Sequence, residues 1–86
     1  MLRNVVYKII DSERDYQDAK WGKKENQVAS WITYMRHYLN EAERQVTTND
    51  NDEHALLNLR KVVALGVACF EEHGVYFREP NSYART

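Results

Sequence analysis

The position of proline is the feature that most restricts how this chain can fold. The only proline among the 86 residues is Pro80, near the C-terminus. Proline removes a backbone hydrogen-bond donor and clashes with the preceding helical turn, so it breaks helices. No proline interrupts the chain before position 80, and its three glycines lie far apart. Long helices can therefore occupy most of the sequence, and we expect an all-α fold.

Three segments show the 3.6-residue periodicity of amphipathic helices. The first is predicted over about residues 4–21, with Gly22 ending it. One stripe of this helix consists of Val5, Ile9, Ser12, Tyr16 and Ala19. Charged residues, including Arg14 and Asp18, face elsewhere. The β-branched start VVYKII is also compatible with a short strand, although we favour a helix.

The second helix is predicted over about residues 26–45, with Asn26 as its N-cap. Its wide apolar face consists of Val28, Trp31, Ile32, Met35, Tyr38, Leu39, Ala42 and Val46. The short polar linker TTNDN, residues 47–51, predicts an antiparallel hairpin with the third helix.

The third helix is predicted over about residues 51–73, and Gly74 follows where a left-handed residue is favoured. Asp50 and Glu53 have the spacing of a capping box. Residues 62–70, VVALGVACF, are apolar all round, so this helix is central or faces a partner as well as its own core. Gly66 costs about 1 kcal/mol relative to alanine within a helix, which close helix packing would offset. We expect a helical domain at residues 1–75 and an irregular tail at residues 76–86.

Size and composition predict a small globular protein that self-associates. The chain is 43% hydrophobic and 29% charged, which is typical of folded domains. Small domains bury a modest core, and Cys69 is the only cysteine, so no internal disulfide can support the fold. We therefore expect a homo-oligomer assembled through the second and third helices. Cys69 lies in the most apolar stretch and is interpreted as an inert core thiol.

The same numbers also restrict location and partners. No apolar run approaches the ~20 residues of a membrane span, and no signal peptide is recognised, so we expect no membrane partner. The lone cysteine is typical of a reducing cytosol, and we predict a cytoplasmic protein. A net charge of −1 gives no general attraction to duplex nucleic acid.

Three sequence segments together resemble a known family. They are ERDYQDAKWG, WITYMRHYLNEAE and LLNLRKVVALGVACFEEHG, which span most of residues 13–74. They are similar to short phage-encoded members of the MazG-like, all-α nucleotide pyrophosphohydrolase superfamily. The resemblance implies a helical bundle with a central antiparallel hairpin. It also implies a carboxylate set that holds Mg²⁺ against a triphosphate, Glu-Glu-x-x-Glu on one helix and Glu-x-x-Asp on the next.

The residues at the positions of that motif differ from the family pattern. With Leu39 to Ala42 placed at the end of the first motif, the three glutamate positions hold His37, Tyr38 and Glu41. On the next helix, Asn58 and Lys61 replace the glutamate and aspartate. Hard oxygen ligands suit Mg²⁺, so a set with one remaining carboxylate predicts loss of the metal and of catalysis. We expect no catalytic residue, no metal site and no cofactor.

Cations and aromatic side chains at these positions suggest binding instead. Arginine and lysine can grip phosphate directly, and aromatic rings can stack on a base. The predicted ligand-binding residues are Trp21, Lys24, Arg36, His37, Tyr38, Glu41, Asn58, Arg60 and Lys61. The favoured function is a non-catalytic phage accessory protein that binds a phosphate-bearing ligand, either a nucleotide or a cyclic nucleotide signal. Such binding would allow it to sequester a host-defence signal in the host cytosol.

Two other functions stay open at this point. One is a protein-interaction module that inhibits a host factor through the aromatic and basic tail, residues Tyr76, Phe77, Arg78, Tyr83 and Arg85. Aromatic and arginine side chains are enriched at binding hot spots. The other is a divergent pyrophosphohydrolase that uses Mg²⁺ or Mn²⁺ with Glu41, Glu43 and Glu53.

Overall fold

Three helices account for most of the computed structural model, which describes residues 1–79 and the backbone of residues 83–84. The helices are α1 (Arg3–Trp21), α2 (Val28–Thr47) and α3 (Asp52–His73). Together they form an all-helical three-helix bundle, which confirms the predicted fold class. A minimal antiparallel ladder follows, in which β1 (Val75–Tyr76) pairs with β2 (Tyr83–Ala84).

The predicted helices are present, but two of the predicted caps are wrong. The VVYKII segment is helical, because α1 begins at Arg3. Gln27, not Asn26, precedes α2 and provides no side-chain cap. Asn51 caps α3 by accepting a hydrogen bond from the His54 N–H at 3.1 Å. Asp50 instead adopts φ +50° within the connecting turn, which removes it from the cap position.

The hairpin of α2 and α3 carries the apolar core, as the short linker predicts. Trp31 of α2 packs with Leu65, Ala68 and Cys69 of α3, and Met35 and Tyr38 extend the cluster. Cys69 is buried, in agreement with its interpretation as a core thiol.

Gly66 does not serve the close packing predicted for it. A Cβ atom at this position would meet the Met35 Sδ at 3.6 Å, an ordinary van der Waals distance. The α2–α3 packing therefore leaves room for alanine.

Helix α1 packs on α3 through a polar face, contrary to the orientation predicted for Arg14. The buried residues of α1 are Glu13, Arg14 and Gln17, which are 6%, 9% and 3% exposed. The apolar residues Val5 and Ile9 are left exposed. Hydropathy places an apolar stripe inward by default, but here specific polar contacts with α3 determine which face is buried.

Those contacts join α1 to the middle and the end of α3. Arg14 Nε donates to Glu71 Oε2 at 2.5 Å, and Gln17 Nε2 donates to the Lys61 carbonyl oxygen at 3.4 Å. Arg60 Nε lies 2.9 Å from Glu13 Oε1. The Arg60 N–H is not aligned on that oxygen, so the contact is ionic rather than a hydrogen bond.

Part of the predicted tail lies outside the described residues, namely residues 80–82, Arg85, residue 86 and the side chain of Tyr83. Tyr76 and Phe77 are exposed. In the part of the chain that the structure describes, no helix combines the length and the apolar character needed to cross a bilayer.

Candidate functional site

A cleft of about 540 Å³ lies at the end of the bundle where α1 finishes and α2 begins. Its walls are the C-terminal part of α1, the connection of residues 22–26, the first half of α2 and the C-terminal half of α3. Ligand sites usually occupy about 300–1,000 Å³, so this cleft has the size of a small-molecule site.

Aromatic side chains form much of the cleft. Trp21 comes from the last turn of α1, whereas Trp31, Tyr34 and Tyr38 lie on successive turns of α2. Trp31 and Tyr34 meet edge to face, with ring centroids 6.4 Å apart. Apolar and aromatic walls with a few placed polar groups are typical of ligand pockets.

Hydrogen bonds to Glu72 hold the connection between α1 and α2 against the end of α3. The Glu72 carboxylate accepts the Asn26 N–H at 3.1 Å and the Trp31 Nε1–H at 2.7 Å. His73 Nε2 lies 2.7 Å from the Asn26 carbonyl oxygen, and because a carbonyl oxygen only accepts, this ring nitrogen donates. These bonds fix one Trp31 edge and hold the connection in place beside the cleft.

A second polar group, centred on Arg14, closes the α1 side of the cleft. The Arg14 guanidinium contacts Glu71 at 2.5 Å and Asp18 at 3.1 Å. Burial lowers the pKa of Arg14, but the hydrogen bonds to Glu71 and Asp18 raise it by more, so the net direction is upward. Arg14 therefore remains charged and forms ion pairs with two of the acids in the cleft, whose combined charge it offsets in part.

Two lysines in the connection provide the available positive charge. Lys23 and Lys24 both line the cleft, and neither forms an ion pair with the described residues. Lys61 lies close by, with its Nζ 5.1 Å from the centroid of the Tyr38 ring. The cleft acids Asp18, Glu71 and Glu72 already accept hydrogen bonds, whereas Glu25 also lines the cleft, next to Lys24. Lys23 and Lys24 together outweigh that one carboxylate, so positive charge is left to meet an anion.

The structure brings together part of the predicted site. Trp21, Lys24, His37 and Tyr38 line the cleft, and Lys61 adjoins it through its contact with Tyr38. The predicted residues that do not line the cleft are Arg36, Glu41, Asn58 and Arg60.

The contacts of these outlying residues are local or structural. Arg36 is exposed, and Asn58 Nδ2 donates to the His54 carbonyl oxygen within α3 at 2.9 Å. Arg60 contacts the buried Glu13. Hydrogen bonds from Arg44 and Gln45 lower the pKa of Glu41 to about 2, so Glu41 is an ionised carboxylate held on its own helix.

Several cleft residues were missed by the sequence reasoning. They are Arg14, Gln17, Asp18, Glu25, Asn26, Trp31, Leu65, Ala68, Glu71 and Glu72. Arg14 and Glu71 are 57 residues apart in sequence, and no local pattern links them. One usable signal existed: the segment YQDAKWG and the acidic pair at residues 71–72 both stand at helix ends, where polar residues from different helices can meet.

Among residues 1–79, no group of three or more His, Cys, Asp or Glu side chains is arranged to hold a metal ion. Glu41, Glu43 and Glu53, proposed for a divergent metal site, do not form such a group. The described residues thus give no specific support to that alternative.

No family model, curated protein or solved structure matches the chain. The MazG-like resemblance therefore depends on the three sequence segments alone. Fold and site define the chain as a small all-α protein with an aromatic-lined cleft.

Proposed function

We propose that this chain is a non-catalytic binding protein whose cleft takes a phosphate-bearing ligand with a planar base, namely a nucleotide or a cyclic nucleotide. The observation that carries the proposal is the combination of four aromatic side chains with two lysines that lack ion-pair partners among the described residues. A planar base stacks on aromatic faces with about 1–3 kcal/mol per base. Lysine ammonium groups bind phosphate as point charges.

The cleft offers distinct places for the two parts of such a ligand. Trp21 and Tyr34, which are both exposed, provide the stacking surfaces. Lys24 and Lys23 stand in the connection at one border, and Lys61 covers the Tyr38 ring. The apolar patch formed by Leu65 and Ala68 excludes water from the base.

The acids of the cleft do not prevent anion binding. Arg14 donates hydrogen bonds to Asp18 and Glu71, and Glu72 accepts hydrogen bonds from Asn26 and Trp31. The charge of Glu25, the fourth acid of the cleft, is outweighed by Lys23 and Lys24. A carboxylate whose charge is already met by donors repels a phosphate less than an uncompensated one.

We further propose a MazG-like origin in which the metal-binding carboxylates have been replaced, with a phage accessory role in sequestering a nucleotide signal. Self-association of the chain belongs to the same proposal, since few large apolar side chains are buried within one copy.

Isothermal titration calorimetry in EDTA tests the proposal, with ATP, a cyclic dinucleotide and a cyclic trinucleotide as separate probes. We expect saturable heat with at least one probe and at least tenfold weaker binding in Lys24→Glu. Arg78→Glu makes the same charge change at an exposed position that does not line the cleft, and should leave affinity within about twofold. Absence of heat with all three probes, or equal weakening by both variants, would contradict the proposal.

A further inference from the structure

The isolated chain exposes more surface than a compact protein of its size. Its accessible surface is 6929 Å², whereas a monomeric protein of 10.2 kDa is expected to expose about 5,300 Å². Its radius of gyration is 14.2 Å, compared with about 12 Å for a compact chain of this length. The excess of about 1,600 Å² lies within the roughly 1,000–2,500 Å² that each copy buries in an obligate dimer.

Part of that excess belongs to the first nine residues, which we call the α1 arm. Each residue of the arm is exposed, although the segment is helical from Arg3. Its apolar residues Leu2, Val5, Val6 and Ile9 follow the spacing i, i+3, i+4, i+7. That spacing is the pattern by which a helix anchors in an apolar groove.

A groove of matching character lies at the opposite part of the hairpin, near the α2–α3 turn. This loop-end groove has a volume of about 200 Å³ and is lined by Leu39, Ala42, Glu43, Val46, Ala55 and Leu59. No residue of α1 lines it. Leu39 and Val46 are 49% and 45% exposed, so the groove has apolar walls that the chain itself leaves uncovered.

Charge also favours pairing the arm with the groove over pairing two arms. The arm carries Arg3 and Lys8 and no acid. Glu43 lines the groove, and Asp52 and Glu53 occupy the first turn of α3 beside it. Opposite charges bring the arm to the groove, whereas two basic arms repel.

We infer that the chain forms a two-fold homodimer in which the α1 arm of each copy occupies the loop-end groove of the other. This reciprocal exchange is closed, because both arms and both grooves are used. The inference specifies the surface of the self-association proposed above. It is independent of ligand binding, because none of the groove residues lines the cleft.

Sedimentation velocity of two charge variants and their mixture tests the inference on the full chain. Ile9→Glu places a carboxylate on the arm stripe, and Leu39→Lys places an ammonium in the groove. Each variant alone is expected to weaken the dimer at least about 100-fold, because a buried charge lacks a partner. Mixed in equal amounts, the two variants should form a heterodimer with one unaltered contact and one ion-paired contact. This heterodimer should associate at least tenfold more tightly than either variant does with itself.

Matched controls change the same charges elsewhere on the same surfaces. The controls are Tyr7→Glu and Leu56→Lys. Tyr7 lies on the opposite side of the arm and is 66% exposed, and Leu56 lies outside the groove and is 64% exposed. Both should sediment as the unmodified dimer. Circular dichroism of each variant at a fixed concentration checks that helicity is retained.

The sedimentation results distinguish self-association itself from the surface inferred for it. A monomeric unmodified chain at 100 µM would overturn self-association and the inferred surface together. A dimer that survives both Ile9→Glu and Leu39→Lys would overturn the surface while leaving self-association in place. Failure of the mixture to recover would contradict the exchange of arm and groove. None of these outcomes bears on the calorimetric test of ligand binding.

Discussion

Removing the Arg14 side chain should reveal how α1 is held on the bundle. Arg14 is 9% exposed and joins α1 to the end of α3 through Glu71, while also contacting Asp18 one turn along α1. In Arg14→Ala these charge-assisted hydrogen bonds disappear together with the packing of the aliphatic stem.

The loss of stability in Arg14→Ala depends on how well water can replace Arg14 as the hydrogen-bond partner of Glu71 and Asp18. Hydrogen bonds to charged groups contribute about 1.5–3 kcal/mol, but the Glu71 and Asp18 side chains are 53% and 32% exposed. Solvent therefore compensates much of the lost interaction, as in surface pairs worth about 0–1 kcal/mol. We expect Arg14→Ala to lower the free energy of unfolding by about 2 kcal/mol. Arg14→Met, which keeps an apolar stem, should lower it by about 1 kcal/mol.

Urea unfolding monitored by circular dichroism at one fixed protein concentration measures these changes. Arg44→Ala is the matched control, because Arg44 also pairs with a glutamate, Glu41, but has a side chain that is 53% exposed. Its effect should be clearly smaller than that of Arg14→Ala. Equal effects of the two alanine variants would refute the view that a buried polar contact anchors α1.

Three further outcomes are expected. Gly66→Ala should raise the free energy of unfolding by about 0.5–1 kcal/mol, because the new Cβ meets only the Met35 Sδ at 3.6 Å. A lower free energy of unfolding, measured in urea, would contradict this. Hydrogen bonding to Arg44 and Gln45 lowers the pKa of Glu41 from 4.5 to about 2, so its stabilising contribution is present above pH 4.5 and is lost as pH falls toward 2. The free energies of unfolding of the unmodified chain and of Glu41→Gln should therefore converge as the pH falls over that range. A difference that stays constant with pH would argue against a stabilising pair of Glu41 and Arg44. Burial, with a further effect of Glu72, raises the pKa of Cys69, so a thiol reagent should label the folded chain at neutral pH much more slowly than the urea-unfolded chain.

The hairpin could be predicted from sequence because its determinants are local. The periodic apolar face of α2, the short polar turn and the continuous apolar stretch of α3 can each be recognised within one segment of the sequence. Trp31, Leu65 and Cys69 accordingly form the core that those patterns indicate.

The orientation of α1 could not be predicted in the same way. An apolar stripe containing Val5 and Ile9 competes with a polar face, and only partners distant in sequence decide which face is buried. Glu13 meets Arg60, and Arg14 meets Glu71, pairings that no pattern within α1 contains.

The candidate site was predictable to a similar extent. Trp21 and Lys24 lie close to Gly22, which ends α1, and His37 and Tyr38 occupy positions of the motif that the family resemblance implies, so all four were identified. Glu72 was not, because its role depends on Asn26 and Trp31, which approach it only after α2 and α3 have packed.

Intrinsic fluorescence tests the central claim, that the cleft binds a nucleotide, most directly. The chain has two tryptophans, Trp21 and Trp31, and both line the cleft. Titration with ATP in EDTA should quench their emission saturably, after correction with free N-acetyltryptophanamide, and Lys24→Glu should shift the midpoint at least tenfold. Repeating the titration with a cyclic dinucleotide and a cyclic trinucleotide covers the other ligand forms. Emission that stays unchanged up to millimolar concentrations of all three would contradict the account.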